Sequence, residues 1–175
     1  MSNDYLHSMN LTRTLIIGNS GSGKSWLAKR LAEHLQVPWI DLDLIHWISD
    51  EHSIARPRAE ALGMARVAAS KDRWVIEGVY GWMVSELVGQ ATTLIWLRLE
   101  DEDCVSHIRE REAKRDDSDE LLIALQDWAG SYRNREGSSG FAAHQRLYEG
   151  FSNSKLQLMN QAEVTAFVCS MQKND

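Results

Sequence analysis

"LIIGNSGSGKSWLAKRL", residues 15–31, decides the fold. Its apolar start, from residue 12 to Ile17, reads as a buried strand. Its far half reads as a helix, because Leu27, Leu31 and Leu35 recur every four residues and Pro38 closes the segment. Between them Gly18-Asn19-Ser20-Gly21-Ser22-Gly23-Lys24-Ser25 fits G-x-x-x-x-G-K-[ST]. Glycines at these places let the backbone wrap round phosphate oxygens, with its N–H groups and the helix N-terminus facing the anion. Lys24 can then reach the β- and γ-phosphates, and the Ser25 hydroxyl can ligate Mg²⁺. ATP with Mg²⁺ is the expected ligand.

Outward from this loop, apolar runs alternate with helical patterns. "PWIDLDL" (38–44) reads as a second strand, "RWVIEG" (73–78) as a third, "TTLIWLRL" (92–99) as a fourth and "KLQLM" (155–159) as a fifth. Residues 45–56 read as loop. Helices are predicted from Pro57 to about Ser70, over 80–89, and from Asp101 to about Arg115. A further helix over 118–134 carries Leu121, Leu125, Trp128 and Tyr132 on one side. Phe141, His144, Tyr148 and Phe151 mark a short one after the break at 135–140. Asn160 and Glu163 cap the last, which has Val164, Phe167, Val168 and Met171 on its apolar face. Strands alternating with helices predict an α/β fold of three layers, a parallel sheet of about five strands covered on both faces. The 175 residues suit a single domain, with residues 1–10 a loose tail.

Ligands of such sheets bind at the carboxyl ends of the strands. There Asp41 and Asp43 flank Leu42, and period-2 geometry puts both carboxylates on one face. Two acids beside a triphosphate suit one metal-water ligand and one group that takes a proton from an acceptor alcohol. Glu77 ends the third strand, where a carboxylate holds Mg²⁺ directly or through water. His46, Trp47 and Tyr80, with Trp82 nearby, follow strands two and three and form the expected acceptor wall. In the second half His107, Arg111 and Lys114 or Arg115 share one helix face, and Arg133 and Arg135 end the next helix. Arginines closing over the site stabilise the charge of phosphoryl transfer, so Arg111, Arg133 and Arg135 are the expected lid cations. Arg109, Lys114 and Arg115 read as a solvated face.

The net charge of −6 argues against a broad nucleic-acid footprint. Cys104 and Cys169 match no metal-ligand spacing. The N-terminal ten residues are polar and no apolar run reaches membrane-spanning length, so a cytoplasmic, membrane-free protein is expected.

With "IIGNSGSGKS", "PWIDLDLIHW", "DRWVIEGVY" and "TTLIWLRL" leading into "CVSHIRER", the chain resembles the small P-loop kinases of the adenylate-kinase-like superfamily. Within it, the chain is most similar to the bacterial FlaR-related, or "DNA topology modulation", proteins. The resemblance covers roughly residues 12 to 115. It implies a sheet in the order 2-3-1-4-5, ATP with Mg²⁺, and a helical lid after the fourth strand, about residues 101–150. Asp41 and Asp43 also resemble the D-x-D of shikimate- and gluconate-kinase relatives, where the first acid serves the metal and the second grips the acceptor. Three positions depart from the group's pattern: Val79 for an asparagine, Arg98 for an aspartate and His107 for an arginine. The expected activity is transfer of the γ-phosphate of ATP to a small-molecule or nucleotide acceptor, by a monomer or homodimer. The competing expectation is an ATP-binding regulator that hydrolyses slowly or not at all. A third is an RNA-end kinase, which needs a basic groove between the lid and residues 56–73.

Overall fold

A computed structural model describes residues 9–48, 54–112 and 119–172. Five parallel strands form one sheet: β1 (Arg13–Gly18), β2 (Trp39–Asp41), β3 (Trp74–Gly78), β4 (Thr93–Leu97) and β5 (Ser154–Leu158). Their order is β2-β3-β1-β4-β5. The three inner strands are buried almost throughout, which is why they read as apolar runs rather than as alternation.

Helices cover both faces. On one lie α1 (Lys24–Leu35) and α8 (Gln161–Gln172), with Leu27, Leu31, Val164 and Phe167 meeting Ile16, Val75 and Ile95 of the sheet. On the other lie α3 (Arg58–Ala69), α4 (Gly81–Leu87) and α7 (Phe141–Gly150), packed on Leu15, Ile17, Ile76 and Trp96. Helix α2 (Leu42–His46) follows β2, and the hairpin α5 (Asp101–Glu112) and α6 (Asp119–Gly130) follows β4. Among the described residues no helix is long and apolar enough to cross a membrane.

Local chemistry explains the boundaries. Glu163 N–H donates to Asn160 Oδ1 at 2.9 Å, and Met159 N–H to Glu163 Oε2 at 2.8 Å, the reciprocal cap expected of α8. Helix α1 ends with Gln36 in the left-handed region at φ 52°, its N–H returned to α1 carbonyls.

Three expectations are corrected. The second strand stops at Asp41, and Leu42–His46 is a helix. Asp41 Oδ1 accepts the Asp43 N–H at 2.8 Å, so the first acid starts a helix rather than continuing a strand. Leu42 and Ile45 then turn inward at helical spacing and Leu44 outward. Asp41 and Asp43 are therefore not alternate residues on one strand face. Helix α6 ends at Gly130, so Tyr132 lies in the turn beyond it. Of the side residues on α6, Leu121 and Trp128 are exposed and Leu125 is half-buried. The tail through residue 8, the loop at 49–53, and Lys114 and Arg115 lie outside the described residues.

Candidate active site at the phosphate loop

Strand β1 delivers the glycine-rich loop to the carboxyl edge of the sheet. Gly21 and Gly23 have φ of 78° and 89°, values L-residues rarely adopt. The first N–H groups of α1 have no partner inside the helix. Lys24, mostly buried, folds back so that Nζ donates to the Asn19 carbonyl at 2.8 Å.

The hairpin of α5 and α6 meets this loop from both arms. A Cβ on Gly21 would lie 2.2 Å from the Cys104 carbonyl oxygen and 2.9 Å from Ile108 Cγ1, so α5 is pressed onto the loop. His107 Nδ1–H donates to the Gly21 carbonyl at 3.0 Å. From the other arm, the Ala129 carbonyl accepts Asn19 Nδ2–H at 2.8 Å. The residues that tie hairpin to loop are thus His107, read as part of a basic lid face, and Ala129, which no sequence pattern marks.

Ser25 Oγ donates to Glu77 Oε1 at 2.6 Å, which brings two of the three metal candidates together. The third, Asp41, is the strand neighbour of Glu77 in the β2–β3 register. Glu77 is almost fully buried, and its carboxyl is pushed up to about 7. Burial is the main cause, Asp41 and Asp43 add to it, and Lys24 and the Ser25 hydrogen bond oppose it. Among the described residues no three His, Cys, Asp or Glu side chains gather as a metal cage. Hard oxygen donors in small number fit Mg²⁺, which takes one or two protein oxygens and completes its shell with phosphates and water.

At the exit of β2, α2 carries Asp43 and His46. The Tyr80 hydroxyl accepts Trp47 Nε1–H at 2.9 Å, and Asp43 lies close enough to act on it electrostatically. Burial, with Asp43 beside it, raises the Tyr80 pKa well above its ordinary value. His46 packs 4.4 Å from the Tyr80 ring and 4.6 Å from the Trp47 ring, with Trp82 at 6.1 Å. Burial lowers its pKa, Asp43 opposing, and its buried Nδ1 has no partner. Arg58 stacks over Trp82 at 4.6 Å. The sequence-predicted wall of His46, Trp47 and Tyr80 is one cluster around Asp43.

The expected lid arginines separate. Arg111 lies one turn beyond His107 on α5, exposed. Arg133 Nη2 pairs with Glu100 at 2.8 Å, and its backbone N–H donates to Asp101 Oδ2 at 3.0 Å, tying the end of the hairpin to its start. Arg135 stacks over the Trp128 ring at 3.3 Å and donates through Nη1 to the Ser139 carbonyl. Its Nε and Nη2 are buried without partners, and burial pulls its pKa down to about 10.

Solved structures of the same shape are small P-loop kinases. A gluconokinase from Sinorhizobium meliloti 1021 matches at TM-score 0.55 and 15% identity, over 95% of this chain and 96% of its own. Shikimate kinase from Bacteroides thetaiotaomicron matches at 0.59 and 17%, over 93% and 97%. Shikimate kinase from Acinetobacter baumannii, in complex with shikimate, matches at 0.57 and 14%, over 99% and 96%. The chain has the P-loop kinase fold. No protein-family model matches it, and no curated protein is significantly similar in sequence. The site joins a glycine-rich loop, a Ser25–Glu77 oxygen pair and the carboxylate of Asp43 beside an aromatic cluster.

Proposed function

We propose that the chain is an ATP-dependent phosphotransferase that moves the γ-phosphate of ATP to a hydroxyl of a small-molecule or nucleotide acceptor. The observation that carries this reading is the Ser25–Glu77 contact at 2.6 Å at the start of the helix that carries Lys24. In it the loop amides from Gly18 to Ser25 and Lys24 hold the β- and γ-phosphates. Ser25, Glu77 and Asp41 would hold Mg²⁺, whose charge offsets that of the phosphates. Asp43 takes the proton of the acceptor hydroxyl, its oxygen bonds to the γ-phosphorus, and the bond to the ADP oxygen breaks. His46, Trp47 and Tyr80 orient the acceptor. Arg111 and Arg135 approach the transferring group from the lid. Arg133, held by Glu100 and Asp101, keeps the base of the lid in place. Kinases named for gluconate and shikimate among the structural neighbours favour a small acceptor. Arg56 and Arg66 each pair with an acid, Glu60 and Glu86, which weighs against a basic groove over residues 56–73.

The test is transfer of label from [γ-³²P]ATP with Mg²⁺ into fractionated metabolites and nucleotides. A product is expected from the wild type and none from Lys24→Ala or Asp43→Asn. If Lys24→Ala kept both ATP affinity and turnover, the reading would be wrong. ATP binding without any product would favour the regulator instead.

A further inference from the structure

Beneath the lid lies a buried polar relay that the reaction above does not use. His144 of α7 is fully buried, and Tyr132 and Trp96 each keep 1% of their surface. The Val79 carbonyl, which can only accept, lies 3.0 Å from His144 Nε2, so that nitrogen carries the proton. His144 Nδ1 is then an acceptor, and the Tyr132 hydroxyl donates to it at 2.7 Å. The same hydroxyl accepts Trp96 Nε1–H at 3.2 Å.

The relay joins the two halves of the site. At one end the Ala129 carbonyl accepts both the Tyr132 N–H at 3.2 Å and the side chain of Asn19 in the phosphate loop at 2.8 Å. At the other end Val79 stands between Glu77 and Tyr80, and its carbonyl also accepts the Gly81 N–H at 3.0 Å. Packing leaves this turn no slack. A Cβ on Gly81 would lie 1.9 Å from the Ser138 carbonyl oxygen, and one on Gly140 2.1 Å from that of Arg135. An apolar side chain of similar volume would fill the space without burying polar groups, whereas a fully satisfied network fixes one geometry.

We propose that His144 is a positioning residue that couples the phosphate loop to the acceptor side, through Asn19, Ala129 and Tyr132 on one hand and Val79, Tyr80 and Asp43 on the other. The proposal rests on the reading of the glycine-rich loop as an ATP site. Neither end of the relay touches the reacting atoms through His144 itself. A path in space is not yet coupling; both ends must respond together.

The test uses the full chain labelled with 5-fluorotryptophan, the Trp47 resonance being assigned with Trp47→Phe. Trp47 reports the acceptor side because its Nε1–H rests on the Tyr80 hydroxyl. The probe is the β,γ-imido analogue of ATP with Mg²⁺. In the wild type, binding of the analogue is expected to move the Trp47 resonance. Tyr132→Phe removes one hydroxyl, and His144→Asn has too short a side chain to reach Val79. Both are expected to lose the Trp47 response while affinity for the analogue stays within about threefold, below the usual range of a direct coupling loss. His144→Gln, whose amide can take the place of Nε2, is expected to restore it. The proposal is overturned if the response persists in Tyr132→Phe and His144→Asn, or if a wild type that binds the analogue shows none. A wild type that does not bind the analogue overturns the ATP reading, and the proposal with it.

Discussion

Replacing Gly21 by alanine separates two reasons for a glycine in the phosphate loop. Gly23 offers the comparison. Both have positive φ, 78° and 89°. A Cβ on Gly23 meets nothing nearer than Gln161 Oε1 at 3.9 Å, while one on Gly21 meets the Cys104 carbonyl at 2.2 Å and Ile108 Cγ1 at 2.9 Å. An L-residue in the left-handed region costs about 1–2 kcal/mol, and the stiffer unfolded chain returns about 0.4–1 kcal/mol. Gly23→Ala is therefore expected to cost no more than about 1.5 kcal/mol. Gly21→Ala must also push back α5, whose Cys104 and Ile108 are buried and cannot swing aside. Overpacking of that kind adds about 1–3 kcal/mol. Urea unfolding followed by circular dichroism reads the difference as a midpoint lower by roughly 0.5–1.5 M in Gly21→Ala than in Gly23→Ala. Gly137→Ala, with φ 89° in open space away from the loop, controls for the backbone cost. Equal midpoints for the Gly21 and Gly23 variants would refute the idea that α5 braces the phosphate loop.

The remaining predictions concern single side chains. Burial, with Lys24 and Arg135 adding to it and the Val79 hydrogen bond opposing, holds His144 at about 4 against 6.5 in the unfolded chain. Its charged form is favoured only on unfolding, so stability is intact above pH 6.5 and is lost as pH falls towards 4, by up to about 3 kcal/mol. Glu77, raised to about 7, acts in the opposite sense between pH 4.5 and 7. The effect must therefore be read as wild type minus His144→Gln in urea titrations across pH 4–7, and a flat difference would contradict it. Glu77→Gln removes the carboxyl partner of Ser25; Mg²⁺ should then no longer tighten ATP binding in calorimetry, while the fold persists. Arg135→Met deletes a half-buried cation with two unpartnered nitrogens but also its stack on Trp128. These terms oppose, so stability should change by less than about 1 kcal/mol while phosphoryl transfer falls at least tenfold; a stability loss as large as the activity loss would make Arg135 structural.

What the sequence made legible follows from burial. Strands β1, β3 and β4 are enclosed on both faces, so each is a run of apolar residues that no turn or amphipathic helix imitates. The phosphate loop was legible because its glycines answer to backbone angles, a demand that few other residues meet. "DLDL" misled because alternation describes a strand, while an aspartate that accepts the N–H two residues on starts a helix; the two competed, and the cap prevailed. On α6, helical periodicity shows that a face exists, not that anything covers it, and Leu121 and Trp128 are exposed. His144 was visible as one member of an apolar stripe on α7. That position called for burial, but the partners on Val79 and Tyr132 come from 65 and 12 residues away and leave no local mark.

Arg133 and Arg135 show where spacing along the chain ceases to inform. They are two residues apart, equally basic, and follow the same helix. Arg133 meets Glu100 and Asp101 at the start of α5, so its charge is matched within the α5–α6 hairpin. Arg135 meets the face of Trp128 and one backbone carbonyl, and two of its nitrogens stay dry and unpartnered. A guanidinium held out of water without an acid is strained electrostatically, and that strain falls when an anion arrives. A paired arginine gains much less from the same anion, because it must first give up its acids. Of the two, Arg135 is therefore the one whose energy a phosphate would lower most, and the difference lies wholly in contacts made across the fold.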